Sequence, residues 1–139
     1  MNKICTSIEQ SRKLIELGID IKTSDMYYWC GEELRIYAGG YKAQNKEYDI
    51  PAWSLSALMH LLPSVLTVKG EYSETQYEID IRKCALTDMV DIYQIAYGNY
   101  RWHDDGSSSW SDMINTGQRE ELIDAAFEMV CWLKKEEYI

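Results

Sequence analysis

The stretch that decides the fold is "VDIYQIAYGNYRW", Val90–Trp102. It is apolar on both alternations: Val90, Ile92 and Ala96 fall on one side, Tyr93, Ile95 and Tyr97 on the other. Successive side chains of a strand point to opposite faces, so a strand apolar on both is covered on both and belongs in the interior of its sheet. The segment before it, "VLTVKGEYSETQYEIDIRK", reads as two strands, with Tyr77, Ile79 and Ile81 facing one way and Glu78, Asp80 and Arg82 the other. After it, Asp105–Gly106 predicts a hairpin, because glycine supplies the positive φ that tight turns need. Trp102 and Trp110 are then expected to pair across the two strands.

Helices are expected before and after this strand-rich centre in the sequence, all on one side of the sheet. Toward the C-terminus, "QREELIDAAFEMVCWLKKEEYI" is apolar almost all round from Leu122 to Leu133, which predicts a deeply buried helix resting on Ile79, Ile81 and Ile92. Lys134 and Lys135 sit in its last turn, where cations suit the helix dipole. Toward the N-terminus, Ser54 caps a short helix over Leu55, Leu58, Met59, Leu61 and Leu62, which Pro63 ends. "TSDMYYWCGEELRIYAGG" gives two strands about a Cys30–Glu33 turn, with Leu34, Ile36 and Ala38 alternating against Arg35, Tyr37 and Gly39. Tyr41–Asp49 is polar and reads as a loop. Thr6 to Glu9 forms a capping box for a first helix with Ile8, Leu14, Ile15 and Leu17 on its apolar side, closed at Gly18. A chain of 139 residues fits one domain. The reading is a single α+β domain, a mainly antiparallel sheet with N-terminal, middle and buried C-terminal helices.

Charge narrows the partners. The formal net charge is −9, and the 14 Lys and Arg form no basic stripe. Duplex nucleic acid and anionic membrane surfaces are therefore disfavoured, while a few Arg or Lys could still hold a small anion locally. "MNKICTSIEQ" lacks the apolar core of a signal peptide, and no run is long enough to cross a bilayer, so the expected location is the cytoplasm, with thiols reduced. Four scattered Cys and two isolated His offer no zinc spacing; no metal and no cofactor are expected. Gly39–Gly40 lacks the spacing of a phosphate loop.

The most chemically varied stretch is "GNYRWHDDGSSSW", Gly98–Trp110. His103, Asp104 and Ser107–Ser109 imitate a nucleophile, base and orienter. A solvated hairpin tip supplies no oxyanion hole, though, so no catalytic residues are assigned and an enzyme is not expected. As a binding rim the stretch is better equipped. Tyr100, Arg101, Trp102, His103 and Trp110 offer stacking faces and a cation, and Arg35 could neutralise a phosphate. Eleven Tyr and five Trp against one Phe also suggest aromatic area buried between subunits, in a homodimer or higher oligomer.

"CTSIEQSRKLIELGID", "IPAWSLSALMHLLP" and "DAAFEMVCWLKKEEYI" resemble small proteins encoded by phages and mobile elements of gut Bacteroidales. The resemblance implies an accessory protein acting inside the host cell and carries over no catalytic residues. Two readings follow. In the first, the protein sequesters a small nucleotide-derived ligand of host immune signalling, an anti-defence sponge. In the second, it is an acidic inhibitor or adaptor that docks on a host or phage protein through a Tyr/Trp patch.

Overall fold

The computed structural model describes residues 3–36 and 49–139. In chain order the elements are α1 (Ile8–Glu16), β1 (Met26–Trp29), β2 (Glu33–Ile36), β3 (Ile50–Ala52), α2 (Leu55–Leu61), β4 (Val65–Lys69), β5 (Glu74–Thr87), β6 (Val90–Trp102), β7 (Ser108–Asn115) and α3 (Leu122–Lys135). The paired strands run antiparallel throughout, so the fold is the α+β arrangement that the sequence predicts. The strands divide into two sheets where one was expected. β2-β1-β3 form the smaller and β4-β5-β6-β7 the larger. β3 is the strand that sequence reading passed over: a three-residue strand containing Pro51 shows no alternation, and it exists because Met26, Tyr27 and Tyr28 pair with it. Residues 37–48 lie outside the described residues, and with them Ala38, the Gly39–Gly40 pair and all but Asp49 of the expected loop.

β6 has β5 on one side and β7 on the other, as its two-faced composition requires. Ile95 and Tyr97 point inward and are fully buried against α3, whose Ile123, Ala126, Met129, Val130 and Leu133 are also buried. Burying one such side chain is worth about 1.5–3 kcal/mol, and this interface buries several of them. Leu14 of α1, Leu58 of α2 and Trp53 complete the core, with Trp53 Nε1 donating to Thr23 Oγ1 at 2.9 Å. Of the three isoleucines expected beneath α3, only Ile79 packs there. Ile81 is 43% exposed and Ile92 lies outside the core cluster. β5 and β6 pair on to Thr87 and Val90, whereas β4 stops at Glu78 of β5 and β7 at Ala96 of β6. Ile81 belongs to this extension, which keeps only the Tyr93–Arg119 bridge on its β7 side and whose tip leaves Leu86 and Met89 exposed. Ile92 alternates with the inward Ile95 and so points to the opposite face.

The N-terminal box is shifted by one residue. Ser7 is the cap, accepting from the Gln10 amide while Gln10 Oε1 accepts from the Ser7 amide. Thr6 cannot take that role, because its buried hydroxyl is engaged with Ser11 Oγ at 2.7 Å and with the Trp53 amide at 3.1 Å. Ile15, expected on the apolar side, is exposed, as is Ile36 on β2. Ser54 caps α2 as predicted, accepting from the Ala57 amide, and is itself fixed by both carboxylate oxygens of Asp25.

Candidate functional site

The hairpin joining β6 to β7 forms where Asp105–Gly106 predicts it. Gly106 has φ +83°, the Gly106 amide donates to the His103 carbonyl, and the His103 amide donates to the Ser107 carbonyl. The cross-strand pairing differs from expectation. A five-residue tip sets the register so that Trp102 faces Ser108 and Trp110 faces Tyr100, and the two Trp do not pair. Tyr100 and Trp110 meet edge to face with ring centroids 5.3 Å apart, a favoured geometry for two aromatic quadrupoles.

A bulge then sorts the residues of β7. Tyr97 opposes Ile114 and Gly98 opposes Asp112, leaving Met113 as the extra residue. Without it, Ile114 and Asp112, two apart, would share a face. With it, Ile114 packs on the core and Asp112 turns to the outer face. There the Trp110 ring lies over Gly98: a Cβ at position 98 would meet Trp110 ring carbons at 2.8 Å, with the Ser111 carbonyl nearer still. Gly98 is therefore the seat of the Trp110 ring.

On the same outer face Arg82 reaches across the sheet from β5. It donates to Asp80 Oδ2 at 2.6 Å, to Asp112 Oδ2 at 3.0 Å, to Asp112 Oδ1, and weakly to Gln94 Oε1 at 3.3 Å. Trp110 Nε1 donates to Asp112 Oδ1 at 2.6 Å, which fixes the indole from its polar edge as Gly98 fixes it from its flat face. Hydrogen bonding from Arg82 holds the Asp112 carboxyl down at about 2, and Asp112 in turn raises the Arg82 guanidinium. Glu78, Asp80, Arg82, Tyr100, Trp110 and Asp112 line an open cavity of about 780 Å³. Three carboxylates against one guanidinium make its lining net negative. Arg82 is already taken by Asp80 and Asp112, and Glu78 has no ion-pair partner among the described residues.

The residues expected to bind ligand are thus partly united. Tyr100, Trp102 and Trp110 share the outer face; Tyr100 is 62% and Trp102 77% exposed, and Trp110 is half-buried. Arg101, between Tyr100 and Trp102 on a regular strand, projects from the opposite face. His103 lies in the tip, its Nε2 2.8 Å from Ser109 Oγ. Asp105 is occupied with the Ser107 amide and hydroxyl, so the tip's polar side chains chiefly serve the turn itself. Arg35 belongs to the other sheet, where it pairs with Glu33 and stacks 4.2 Å over the Trp29 ring. Arg82, Asp112 and Glu78 were not legible as a site. Their only signal was the alternation of charge along β5, which reads as a solvated face, and nothing in sequence says that positions 82 and 112 meet.

Among the described residues, no three His, Cys, Asp or Glu side chains gather as a metal site would need. Among the described residues, no helix is long and apolar enough to cross a membrane. No family model, curated protein or solved structure matches the chain. Its function is therefore read from the geometry alone.

Proposed function

We propose that this protein is an acidic binding module that docks, without catalysis, on a positively charged segment of a partner protein. The docking surface is the outer face of the β6–β7 hairpin. One observation carries this: Tyr100 and Trp102 stand exposed on an ordered ribbon, beside a cavity whose lining is net negative. Trp, Tyr and Arg are enriched among the few residues that dominate binding at protein interfaces, and an exposed aromatic pair edged by carboxylates matches Arg or Lys by cation–π contact and charge. The chain's net charge of −9 would draw such a partner in from a distance.

A nucleotide-derived ligand finds only half of its needs on this face. Tyr100 and Trp102 could stack a base, but Arg101 lies on the opposite face, Arg35 in the other sheet, and Arg82 is held by two carboxylates. A phosphate seated beside Glu78 and Asp112 would meet like charge. The docking reading is therefore preferred over sequestration of a nucleotide.

Calorimetric titration separates the two. An Arg-rich nonapeptide should bind with affinity that falls as salt rises, while cyclic dinucleotides, cyclic oligonucleotides and ADP-ribose should not bind. Tight binding of any nucleotide with no binding of the peptide would reverse the order of the readings.

A further inference from the structure

A second cavity, on the helical side of the molecule, has the opposite character. It holds about 400 Å³ between α1, α3 and the end of β7, within the range of small-molecule pockets. Ile114, Phe127, Cys131 and Trp132 make its walls mostly apolar, and Lys13 and Lys135 stand at its rim. The Trp132 ring is held in place by stacking on Tyr138, centroids 5.5 Å apart. The remaining charge in the lining, Glu128, is neutralised by Arg119 at 2.8 Å. Lys13 is loosely paired with Glu16 at 4.0 Å, and Lys135 has no ion-pair partner among the described residues. In a chain of net charge −9, an apolar cleft edged by two such ammonium groups is a departure from the rest of the surface.

Cys131 sits in the wall of the same cavity as both lysines. Burial pushes its thiol up to about 11; the positive charges of Lys135 and Lys13 pull it down and the Glu128 carboxylate pushes it up. Lys13 from α1 and Lys135 from α3 thus border one cavity from two elements, and an anion held in it would lie between two cationic side chains. Cys131 itself, a buried thiol kept protonated, is wall and not nucleophile.

We propose that this cleft binds an amphipathic carboxylate: an aliphatic body against Phe127, Cys131 and Trp132, with its carboxylate between Lys13 and Lys135. Apolar burial supplies the affinity and the lysines supply the choice of head group. A phosphate-bearing or nucleotide ligand fits less well, since the lining beyond the rim is apolar and offers little to a polyanion. The site lies on the face of the larger sheet opposite to the proposed docking surface, so either can fail without the other.

The test holds the tail constant and changes the head. Decanoate, decanol and decyltrimethylammonium are titrated calorimetrically into the intact protein, with acetate as the head group alone. Decanoate should bind at least about tenfold more tightly than decanol, and acetate and the cation should not bind measurably. Amide resonances of residues 114–116 and 127–135 should shift with decanoate, and those of residues 98–112 should not. In a Lys13→Met, Lys135→Met double variant, with both changes at the exposed rim, decanoate should fall to the affinity of decanol. Equal affinity for decanoate and decanol, unchanged decanoate binding in the double variant, or no decanoate binding below about 1 mM would each overturn the proposal.

Discussion

The middle and the far end of β6 are one strand in two environments. Ile95, Ala96, Tyr97 and Gly98 are buried, and Tyr100, Arg101 and Trp102 immediately after them are exposed. Composition hardly changes along the way; coverage does. Ile95 and Tyr97 lie under α3, and Gly98 lies under the Trp110 ring, whereas Tyr100 and Trp102 have passed the end of β5 pairing at Glu78. Backbone pairing with β7 keeps the far end ordered all the same. The lesson is that pairing with β7 carries the ribbon past the covered part of the sheet, where the exposed ring of Trp102 adds little burial to the fold.

If so, substitutions along β6 should shift from structural to functional in effect. The largest structural loss is expected at Tyr97, which is fully buried and donates its hydroxyl to the Pro63 carbonyl at 2.6 Å. Tyr97→Ala should cost about 3–5 kcal/mol by cavity formation and a lost hydrogen bond, read from urea denaturation. Met129→Ala, in the same core cluster on α3, should cost about 2–5 kcal/mol. At the boundary, Gly98→Val must displace both the Ser111 carbonyl and the Trp110 ring. A loss of about 1–3 kcal/mol, with a changed near-ultraviolet circular dichroism of the indole, would mark the place where structure gives way to site.

The Arg82–Asp112 pair offers a pH test at the same boundary. Asp112 is held at about 2 in the folded protein, below the ordinary carboxylate value. A depressed carboxylate stabilises the fold above its unfolded value, near pH 4, and that stability is lost as pH falls toward 2. Asp112→Asn should therefore remove about 1–2 kcal/mol at pH 7 and flatten the decline between pH 4 and 2. A decline identical to that of the parent would show that the pair is solvent-screened.

Much of the fold was legible because its strongest signals are local. An all-round apolar helix at Leu122–Leu133, a two-faced strand at Val90–Trp102 and an Asp-Gly turn each report their role within a few residues. The errors fall where a local pattern outruns its partner. Ile81 keeps the alternation of a core strand after the sheet around it has narrowed, and Ile92 falls on the face opposite to Ile95 and Tyr97. Thr6 and Ser7 both begin acceptable capping boxes, and only the distant Trp53 amide decides between them. The aromatic part of the candidate site was readable from one hairpin. Its acidic part was not, because Asp80, Arg82 and Asp112 are joined by register across β6, and that register depends on the tip length and on the Met113 bulge.

At the far end of β6 the structural effect should vanish. Trp102→Ala is expected to change stability by no more than about 0.5 kcal/mol, since a ring 77% exposed has little packing to lose. Trp29, 44% exposed in the smaller sheet beneath Arg35, is the matched control, an exposed tryptophan outside the proposed surface. The decisive measurement is the affinity of the Arg-rich nonapeptide for the parent protein, Trp102→Ala and Trp29→Ala under one salt condition. All three carry the same formal charge, so non-specific attraction to an acidic protein is common to them. The account predicts that Trp102→Ala weakens binding about tenfold while Trp29→Ala matches the parent. Equal affinities for all three would contradict it, because the peptide would then be reading net charge and not the β6–β7 face.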